Sequence, residues 1–286
     1  MTESVTVAIP TRGDRPGIAS TIRSVMASAQ GRPFELLIVW SGLASPPPWA
    51  TSLPGDPRHV PARPLGLSVA RNAGLRFASG DLILMPDDDV VCASSWFEAA
   101  VAALIDGADI VGGPVTCRWP NGRPLWMSAD MESVFGSFCL GPDARDLVDR
   151  QGLTGGNMGM WRKPILALGG YDVSLGVRGR RGGMGEENDL CDRALNLGLR
   201  VTYVPDARVD QMMEPRAATR RTYLRRMYRF GRSMAIVRSE DVQKPTKLTA
   251  AAAKRLLGAP FTRERMEQIG SACFELGEVR SRFWPY

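Results

Sequence analysis

Short apolar runs alternate with helical patterns along the first half of the chain, and this alternation restricts the possible folds more than any other feature. Residues 5–10, 34–40 and 81–86 have the length and composition of buried strands. Between them, residues 18–29 and 67–78 carry apolar side chains at helical spacing. Strand, helix, strand, helix at this spacing predicts a parallel sheet with helices on both faces.

The same patterns predict further elements. Strands are expected at 59–62, 108–119, 157–162 and 199–205, and helices at 94–107, 163–174 and 186–198. A weak helical pattern covers 126–138. Residues 177–185 are too rich in glycine and charge for regular structure, which predicts a loop. From residue 217 the chain turns helical and basic, so we expect a helical extension after the sheet.

No segment has the composition of a membrane span or an export signal. A span needs roughly 20 consecutive apolar residues, and the start MTESVTVAIP lacks a basic region followed by an apolar one. The cysteines form no CxxC pair, which favours reduced thiols over a disulfide framework or a zinc site. They are Cys92, Cys117, Cys139, Cys191 and Cys273. We therefore expect a cytoplasmic protein.

Positive charge is unevenly distributed along the chain. The formal net charge is +6, and the arginines cluster at 178–181 and again at 216–238. Basic clusters attract the phosphate groups of a small ligand, anionic lipid headgroups or nucleic acid. Charge alone does not choose among these partners.

Three consecutive acids, Asp87, Asp88 and Asp89, follow the very apolar strand at 81–86. Ligands of open parallel sheets bind beyond the carboxyl ends of the strands. In an extended segment residues i and i+2 point the same way, so Asp87 and Asp89 can share one ligand while Asp88 faces elsewhere. Oxygen ligands suit Mg²⁺ or Mn²⁺, which also binds phosphate. The alternative is an acidic loop that only precedes the next helix.

A second acidic group, Glu186, Glu187 and Asp189, begins the helix predicted at 186–198. Acids in a first helical turn complement the helix dipole, which accounts for one or two of the three. The dipole does not account for the preceding basic loop, which contains Arg178, Arg180 and Arg181. A carboxylate beside such a loop suits a general base that acts on an anionic substrate.

Four blocks of the chain together resemble the family 2 glycosyltransferases. They are IPTRGDRPGIASTIRSV, LSVARNAGLRFASGDLILMPDDDV, GGNMGMWRKPILALGGYDVSL and GEENDLCDRALNLGLRVTYVP, and the resemblance covers residues 5 to about 235. The resemblance implies a GT-A fold, with a mixed, mainly parallel sheet flanked by helices. It also implies a nucleotide-diphosphate sugar donor, Mn²⁺ or Mg²⁺ as cofactor, and usually inversion at the anomeric carbon.

The resemblance also divides the chain and implies roles for individual residues. A catalytic domain, 1–215, contains a nucleotide-binding half, 1–115, and an acceptor-binding half, 116–215, and a helical extension covers 216–286. The nucleotide and donor site is assigned to Pro10, Thr11, Arg12, Arg71, Asn72, Asp87, Asp88, Gly155, Gly156 and Asn157. The loop arginines Arg178, Arg180 and Arg181 join that site. Asp87 and Asp89 match the ends of the DxD motif and Glu187 the catalytic base, while Glu186 and Trp161 are assigned to the acceptor.

Two positions depart from the family pattern. Where many relatives hold the nucleotide base with an acid, after the second strand, this chain has Trp40 and Ser41. Trp40 either stacks on the base or belongs to the core. Where many relatives have a metal-binding histidine, this chain has Asp210 and Gln211, so one of them substitutes or fewer protein ligands hold the metal. We interpret the only histidine, His59, as structural.

The arginine-rich segment from 217 to 238 predicts a helix with an apolar stripe and a basic face. The stripe pairs Tyr223 with Met227 and Leu224 with Tyr228. The basic face is either solvated, or contributes to diphosphate binding, or rests on an anionic membrane at its inner face. For the donor we favour a UDP-sugar, with GDP- and TDP-sugars as alternatives. The hydroxyl acceptor is not identified, and a homodimer is left open.

Three other classes of protein compete with this interpretation. A nicotinamide oxidoreductase needs GxGxxG after the first strand, and residues 11–17 do not supply it. A basic nucleic-acid-binding protein would use the arginine-rich segment, but it leaves the acidic run unexplained. A catalytically inert GT-A domain that only binds sugar nucleotide is the closest alternative.

Overall fold

A computed structural model describes residues 3–13, 17–148, 151–177, 184–237 and 263–283 of the chain. An eight-stranded main sheet contains β1 (Val5–Thr11), β2 (Glu35–Ser41), β3 (Arg58–Ala62), β4 (Leu82–Pro86), β6 (Ile110–Gly112), β8 (Arg145–Asp146), β9 (Asn157–Trp161) and β10 (Val201–Tyr203). A three-stranded sheet contains β5 (Val90–Cys92), β7 (Val115–Arg118) and β11 (Val209–Met212). The helices are α1 (Ile18–Ser28), α2 (Leu67–Phe77), α3 (Trp96–Ile105), α4 (Arg162–Ala167), α5 (Glu186–Asn196), α6 (Arg220–Val237) and α7 (Arg263–Phe283).

The main sheet has the strand order β3-β2-β1-β4-β9-β6-β10-β8. Strands β1 to β4 are mutually parallel, as are β6 and β10, while β9 runs antiparallel to both of its neighbours. The mixed, mainly parallel sheet predicted from the sequence is therefore confirmed. The carboxyl ends of β1, β2 and β4 meet at one edge, where ligands of such sheets bind.

Helices cover both faces of this sheet, because each central strand is apolar on both sides. Alternate residues of β2 point in opposite directions: Ile38 and Trp40 pack with α1 and α3, while Leu37 and Val39 pack with α2. The remaining helices of the second face, α4 and α5, contribute Ile165 and residues such as Leu190. Two buried layers thus hold the strand ends in place.

The strand predicted at 108–119 is wrong as a single element. It breaks at Gly113 and Pro114, so that β6 lies in the main sheet and β7 in the small one. The backbone of Gly113 passes so close to the carbonyl of Ala207 that no side chain fits there. The helical pattern at 126–138 also fails, because only a short 3₁₀ helix, Asp130–Phe135, forms. Strands β5, β8 and β11 were not predicted.

The C-terminal helices α6 and α7 pack closely against each other. Gly231 of α6 faces the backbone of Phe274, and Gly277 of α7 faces the backbone of Tyr228, so both glycines permit a near approach. A third apolar cluster joins this pair to the rest of the protein. It contains Cys117, Met127, Met131, Phe135, Met213, Tyr223 and Met266. Within the described ranges, no helix has both the length and the apolar character to cross a membrane.

Candidate active site

A pocket of about 470 Å³ opens at the carboxyl ends of β1 and β4. Its walls come from the end of β1, the acidic run after β4, and the segments 133–138 and 152–156. The first turn of α5, Arg71 of α2 and two residues of α6, Arg226 and Phe230, also line it. Residues far apart in the chain therefore share one cavity of the size that small-molecule ligands occupy.

Asp87 and Asp89 both line this pocket. The backbone N–H of Asp87 donates to the carbonyl of Gly156 at 3.1 Å. A Cβ on Gly156 would lie 2.8 Å from Asp87 Oδ2, so a glycine is needed beside this carboxylate. Asp87, Asp89 and Gly156, three residues assigned to the donor or metal site from the sequence, thus line the same pocket.

Asp88 has a different role in the acidic run. Its side chain is buried, and its Oδ2 accepts a 2.6 Å hydrogen bond from the Thr11 hydroxyl. That hydroxyl in turn accepts from the backbone N–H of Gly13 at 3.0 Å. Although Asp88 and Thr11 line the pocket, their side chains tie the end of β4 to the end of β1.

One further oxygen donor suited to a hard divalent cation lines the pocket beside the acidic run. Gln211 lines the pocket beside Asp89, because the N–H of Met212 in β11 donates to the carbonyl of Asp89 at 2.8 Å. Asp210 instead pairs with Arg118 at 2.9 Å and does not line the pocket. In the described part of the chain, no three His, Cys, Asp or Glu side chains are grouped as metal ligands. Two carboxylates and an amide still fit Mg²⁺ or Mn²⁺, which keeps water and phosphate ligands.

Arg71 of α2 lies between the two acidic groups. Its Nη2 is 3.2 Å from Asp87 Oδ1, and its Nη1 is 2.8 Å from Glu186 Oε1. The side chains of Arg71 and Glu186 are 2% and 3% exposed, whereas that of Asp87 is 28% exposed. The buried guanidinium of Arg71 therefore contacts one acid of each group, Asp87 and Glu186.

The two glutamates at the start of α5 lie in different environments. Glu186 is buried and its Oε1 is engaged with Arg71, which anchors the start of α5; it also lines the pocket, and its assignment to the acceptor stays a prediction. Glu187 is half-buried and lines the pocket. Burial and the neighbouring charge of Glu186 raise the pKa of Glu187 above the ordinary carboxyl range, against the opposing effect of Arg71. A raised pKa suits a carboxylate that must accept a proton near neutral pH.

Two asparagines predicted in the nucleotide and donor site are bound within the protein instead. The Asn72 amide donates to the carbonyl of Tyr171 and accepts from its N–H, both at 2.8 Å. The Asn157 amide accepts from Trp96 Nε1 and donates to the Ala207 carbonyl, both at 2.7 Å. Neither asparagine lines the pocket, although the adjacent Arg71 and Gly156 do, so the structure shows a supporting role for both and their contact with the donor stays a prediction. Both are buried, and buried amides need such partners.

Trp161 lies outside the pocket, which corrects its assignment to the acceptor site. Because β9 runs antiparallel to β4, its first residue, Asn157, pairs with Pro86 beside the site. Trp161 ends β9 and pairs with Leu82, at the opposite end of the sheet. Its Nε1 donates to the carbonyl of Leu104 at 3.0 Å.

At the end of β1 the pocket is lined by Pro10, Thr11 and Arg12, and at the end of β2 by Ser41. The adjacent Trp40 is fully buried, and its Nε1 donates to His59 Nδ1 at 3.1 Å, so it is a core residue and does not stack on a ligand. Burial lowers the pKa of His59. The loop arginines Arg178, Arg180 and Arg181 lie outside the described residues.

Sequence reasoning missed segment 133–138 as a wall of the pocket, and it left a contribution of the arginine-rich helix, α6, as one of three alternatives. The guanidinium of Arg226 lies 5.1 Å from the centre of the Phe135 ring, and its Nη1 donates to the Val134 carbonyl at 3.2 Å. Phe230, one turn further along α6, also lines the pocket. Tyr223, one of the predicted stripe residues, is buried in the third apolar cluster and thereby orients this helix.

Comparison with solved structures identifies the fold. The mannosyltransferase PcManGT from Pyrobaculum calidifontis, solved with GDP-Man and Mn²⁺, superposes with a TM-score of 0.61 at 15% identity, over 99% of this chain and 88% of that one. GalNAc-T7, solved with UDP, GalNAc and Mn²⁺, gives a TM-score of 0.58 at 13% identity, over 99% of this chain and 58% of that one. The protein therefore has the GT-A fold of glycosyltransferases.

The sequence comparison is more specific. The family model "Glycosyl transferase family 2" matches residues 6–169, which is more than half of the 286 residues. The chain belongs to glycosyl transferase family 2.

Two curated relatives are each 27% identical to this chain. A glucosyl-dolichyl phosphate glucuronosyltransferase from Haloferax volcanii matches over 209 residues, 68% of this chain and 64% of the relative, so the match spans less than two thirds of that relative. The succinoglycan biosynthesis protein ExoM from Rhizobium meliloti matches over 230 residues, 77% of this chain and 70% of the relative.

Proposed function

We propose that this protein transfers a sugar from a nucleotide-diphosphate sugar to an acceptor hydroxyl, with a divalent cation as cofactor. One observation carries the proposal: Asp87, Asp89 and the half-buried Glu187 line a single pocket in a family 2 GT-A chain. The two aspartates supply ligands for a cation, and the glutamate supplies a base. A domain that only binds sugar nucleotide would need the two aspartates but not the glutamate.

The donor is proposed to lie with its nucleotide against the end of β1 and its diphosphate near the acidic run. Pro10, Arg12 and Ser41 line the nucleotide end of the pocket. A UDP-sugar is the first choice and a GDP-sugar the second, since the two structural neighbours were solved with UDP and with GDP-Man. Peripheral membrane contact through the basic face of α6 remains a separate proposal, based on its charge.

The proposed reaction is a single displacement. Glu187 accepts the proton of the acceptor hydroxyl while the acceptor oxygen bonds to the anomeric carbon. The bond from that carbon to the diphosphate breaks and its electron pair leaves with the diphosphate, which inverts the configuration. When bound, Mn²⁺ or Mg²⁺ supplies positive charge to the leaving group. Asp87 and Asp89 are the carboxylates proposed to hold it, with Gln211 as a third oxygen donor.

A panel of donors tests the proposed function. The protein is incubated with UDP-, GDP- and TDP-sugars in the presence of Mn²⁺, and the released nucleoside diphosphate is measured. We expect at least one donor to be turned over, and EDTA to abolish the release. If the protein binds a nucleotide sugar but turns none over, even with a range of sugar acceptors present, the proposed transferase activity is wrong. The protein is then an inert domain that binds sugar nucleotide.

The raised pKa of Glu187 predicts an unusual pH dependence. Only the carboxylate form accepts a proton, so kcat/KM should fall as the pH is lowered through the raised pKa of the free enzyme. If Glu187 had the ordinary glutamate pKa of about 4.3, kcat/KM would stay nearly level as the pH is lowered to about 5. We therefore expect the acid limb of the kcat/KM profile to begin in the neutral range. A rate that stays level to about pH 5 would contradict this prediction.

The variant Glu187→Gln tests whether the acid limb of the kcat/KM profile is due to Glu187. Any residual rate of Glu187→Gln should lack the limb, because this variant has no carboxylate at residue 187. An acid limb that persists unchanged in Glu187→Gln would assign the titration to another group.

A further inference from the structure

Arg71 joins two walls of the pocket that the sequence places far apart. Glu186 begins α5 and Asp87 follows β4, and the guanidinium contacts both, through Nη1 at 2.8 Å and Nη2 at 3.2 Å. Planar guanidinium groups can contact two carboxylates at once, which a lysine ammonium does less well. The first turn of α5, and with it Glu187, is thereby tied to the end of β4.

The protein holds this guanidinium in place from several sides. It lies 5.4 Å from the centre of the Tyr171 ring. A Cβ on Gly155 would come within 2.7 Å of Nη1 and 2.8 Å of Nη2, so this glycine leaves room for the guanidinium. Tyr171 is itself fixed by two hydrogen bonds between its backbone and the side-chain amide of Asn72. Arg71 and Asn72, adjacent in α2, thus act together: one bridges the carboxylates and the other holds the ring beside it.

The burial of Arg71 argues against direct binding of the donor. Its side chain is 2% exposed, and its Nε is also buried, with no hydrogen-bond partner in the described part of the chain. Three carboxylates, those of Asp87, Glu186 and Glu187, act on its charge. Arg71 borders the pocket, but both of its Nη atoms already face these acids and almost none of its surface is exposed, which favours a role through the acids over direct contact with a ligand.

We propose that Arg71 is a positioning residue, which keeps Glu187 at a fixed place relative to the acidic run by bridging Glu186 and Asp87. The catalytic part of this inference rests on the proposed function, since it concerns the alignment of the base with the donor. Misplacement of a reacting group by about 1 Å can cost about 100-fold in rate. The loss should therefore appear in kcat and not in the KM for the donor.

The variant Arg71→Lys tests this role, because lysine keeps the charge but not the double contact. We expect kcat to fall by about 30-fold or more while the donor KM stays within about threefold. Arg58→Lys is the matched control. Arg58 also uses both of its Nη atoms, on Glu35 Oε1 and the Phe77 carbonyl, but it begins β3 at the far end of the sheet and should leave kcat unchanged.

A double variant keeps the test decisive if Arg71→Lys folds poorly. Arg71→Met combined with Glu186→Gln removes both members of the buried ion pair, so that no charge is left uncompensated between them. We expect this variant to fold and to show the same loss of kcat. If either folded variant keeps kcat within about threefold of the wild type, or if the donor KM rises instead, the positioning role is wrong.

Hydrogen exchange provides a readout that does not require turnover. We expect the amides of Asp189 and Leu190, the first in α5 with helical acceptors, to exchange at least about tenfold faster in Arg71→Lys, with no change in β1 and β2. Unchanged exchange at these two amides would refute the tie between α2 and α5. If the wild type turns over no donor, the proposed function fails, and the exchange experiment still decides whether Arg71 holds the start of α5.

Discussion

Replacing Glu187 by glutamine is expected to lower kcat by about 100- to 10,000-fold, the usual contribution of a general base. Glutamine has nearly the same shape, but its amide cannot accept the proton of the acceptor hydroxyl. The donor should still bind, because the acidic run and the end of β1 are unchanged. Rates of sugar transfer and calorimetric donor binding, measured on the same preparations, check both parts of this prediction.

Glu98→Gln is the matched control for this substitution. Glu98 is largely exposed on α3 and pairs with Arg32 at 3.0 Å, away from the pocket. This variant should transfer sugar at the wild-type rate. The assignment of the base would be wrong if Glu187→Gln kept more than about a tenth of the activity. It would also be wrong if the variant lost activity only in proportion to a loss of donor binding.

Asp89→Ala is expected to weaken donor binding in the presence of Mn²⁺ by about 30-fold or more, or about 2 kcal/mol, and to abolish transfer. The substitution removes a carboxylate that the proposed cation needs, so the diphosphate loses its partner. Calorimetry with and without Mn²⁺ measures the effect. In the wild type the cation should strengthen binding, and in Asp89→Ala it should have little influence.

Asp88→Asn controls for a charge change in the same acidic run. An asparagine oxygen can still accept the hydrogen bond from the Thr11 hydroxyl, so the ends of β1 and β4 should stay together. We expect this variant to keep most of its Mn²⁺-dependent donor binding. A loss as large as that of Asp89→Ala would refute the distinction between the two acids. Equal donor binding by the wild type with and without Mn²⁺ would refute the role of the cation.

Local patterns were sufficient to predict the central strands of the fold and the position of the acidic run at the end of one of them. The strands β1, β2 and β4 are apolar on both sides because helices cover both faces, and such runs are recognisable without any knowledge of their partners. The position of Asp87 and Asp89 follows from the end of one such strand. The order of the four family blocks then connected this run with Glu187.

Side-chain partners could not be predicted in the same way. Arg71 and Glu186 are 115 residues apart, and Asn157 and Trp96 are 61 apart, so only the folded chain brings them together. A polar residue within a family block can therefore be a structural element of the site, as Asn72 and Asn157 are. Trp161 illustrates the same limit, because its distance from the site depends on the antiparallel direction of β9.

The basic face of α6 allowed a role in diphosphate binding as one alternative, but no local signal showed which of its residues line the pocket. The arginine-rich pattern predicted a helix with an apolar stripe, and Tyr223 of that stripe is indeed buried. Which of its arginines faces the site depends on how α6 packs on segment 133–138. That packing selects Arg226, whose guanidinium lies over Phe135.

In the proposed mechanism, a cation held by Asp87 and Asp89 binds the donor diphosphate beside Glu187. Diffraction from crystals of this protein with Mn²⁺ and a nucleoside diphosphate, recorded where manganese scatters anomalously, tests it most directly. We predict one strong anomalous peak within about 2.0–2.3 Å of a carboxylate oxygen of Asp89, beside Asp87 and in contact with the diphosphate. A bound nucleotide without that peak, or manganese held by other residues, would contradict the claim.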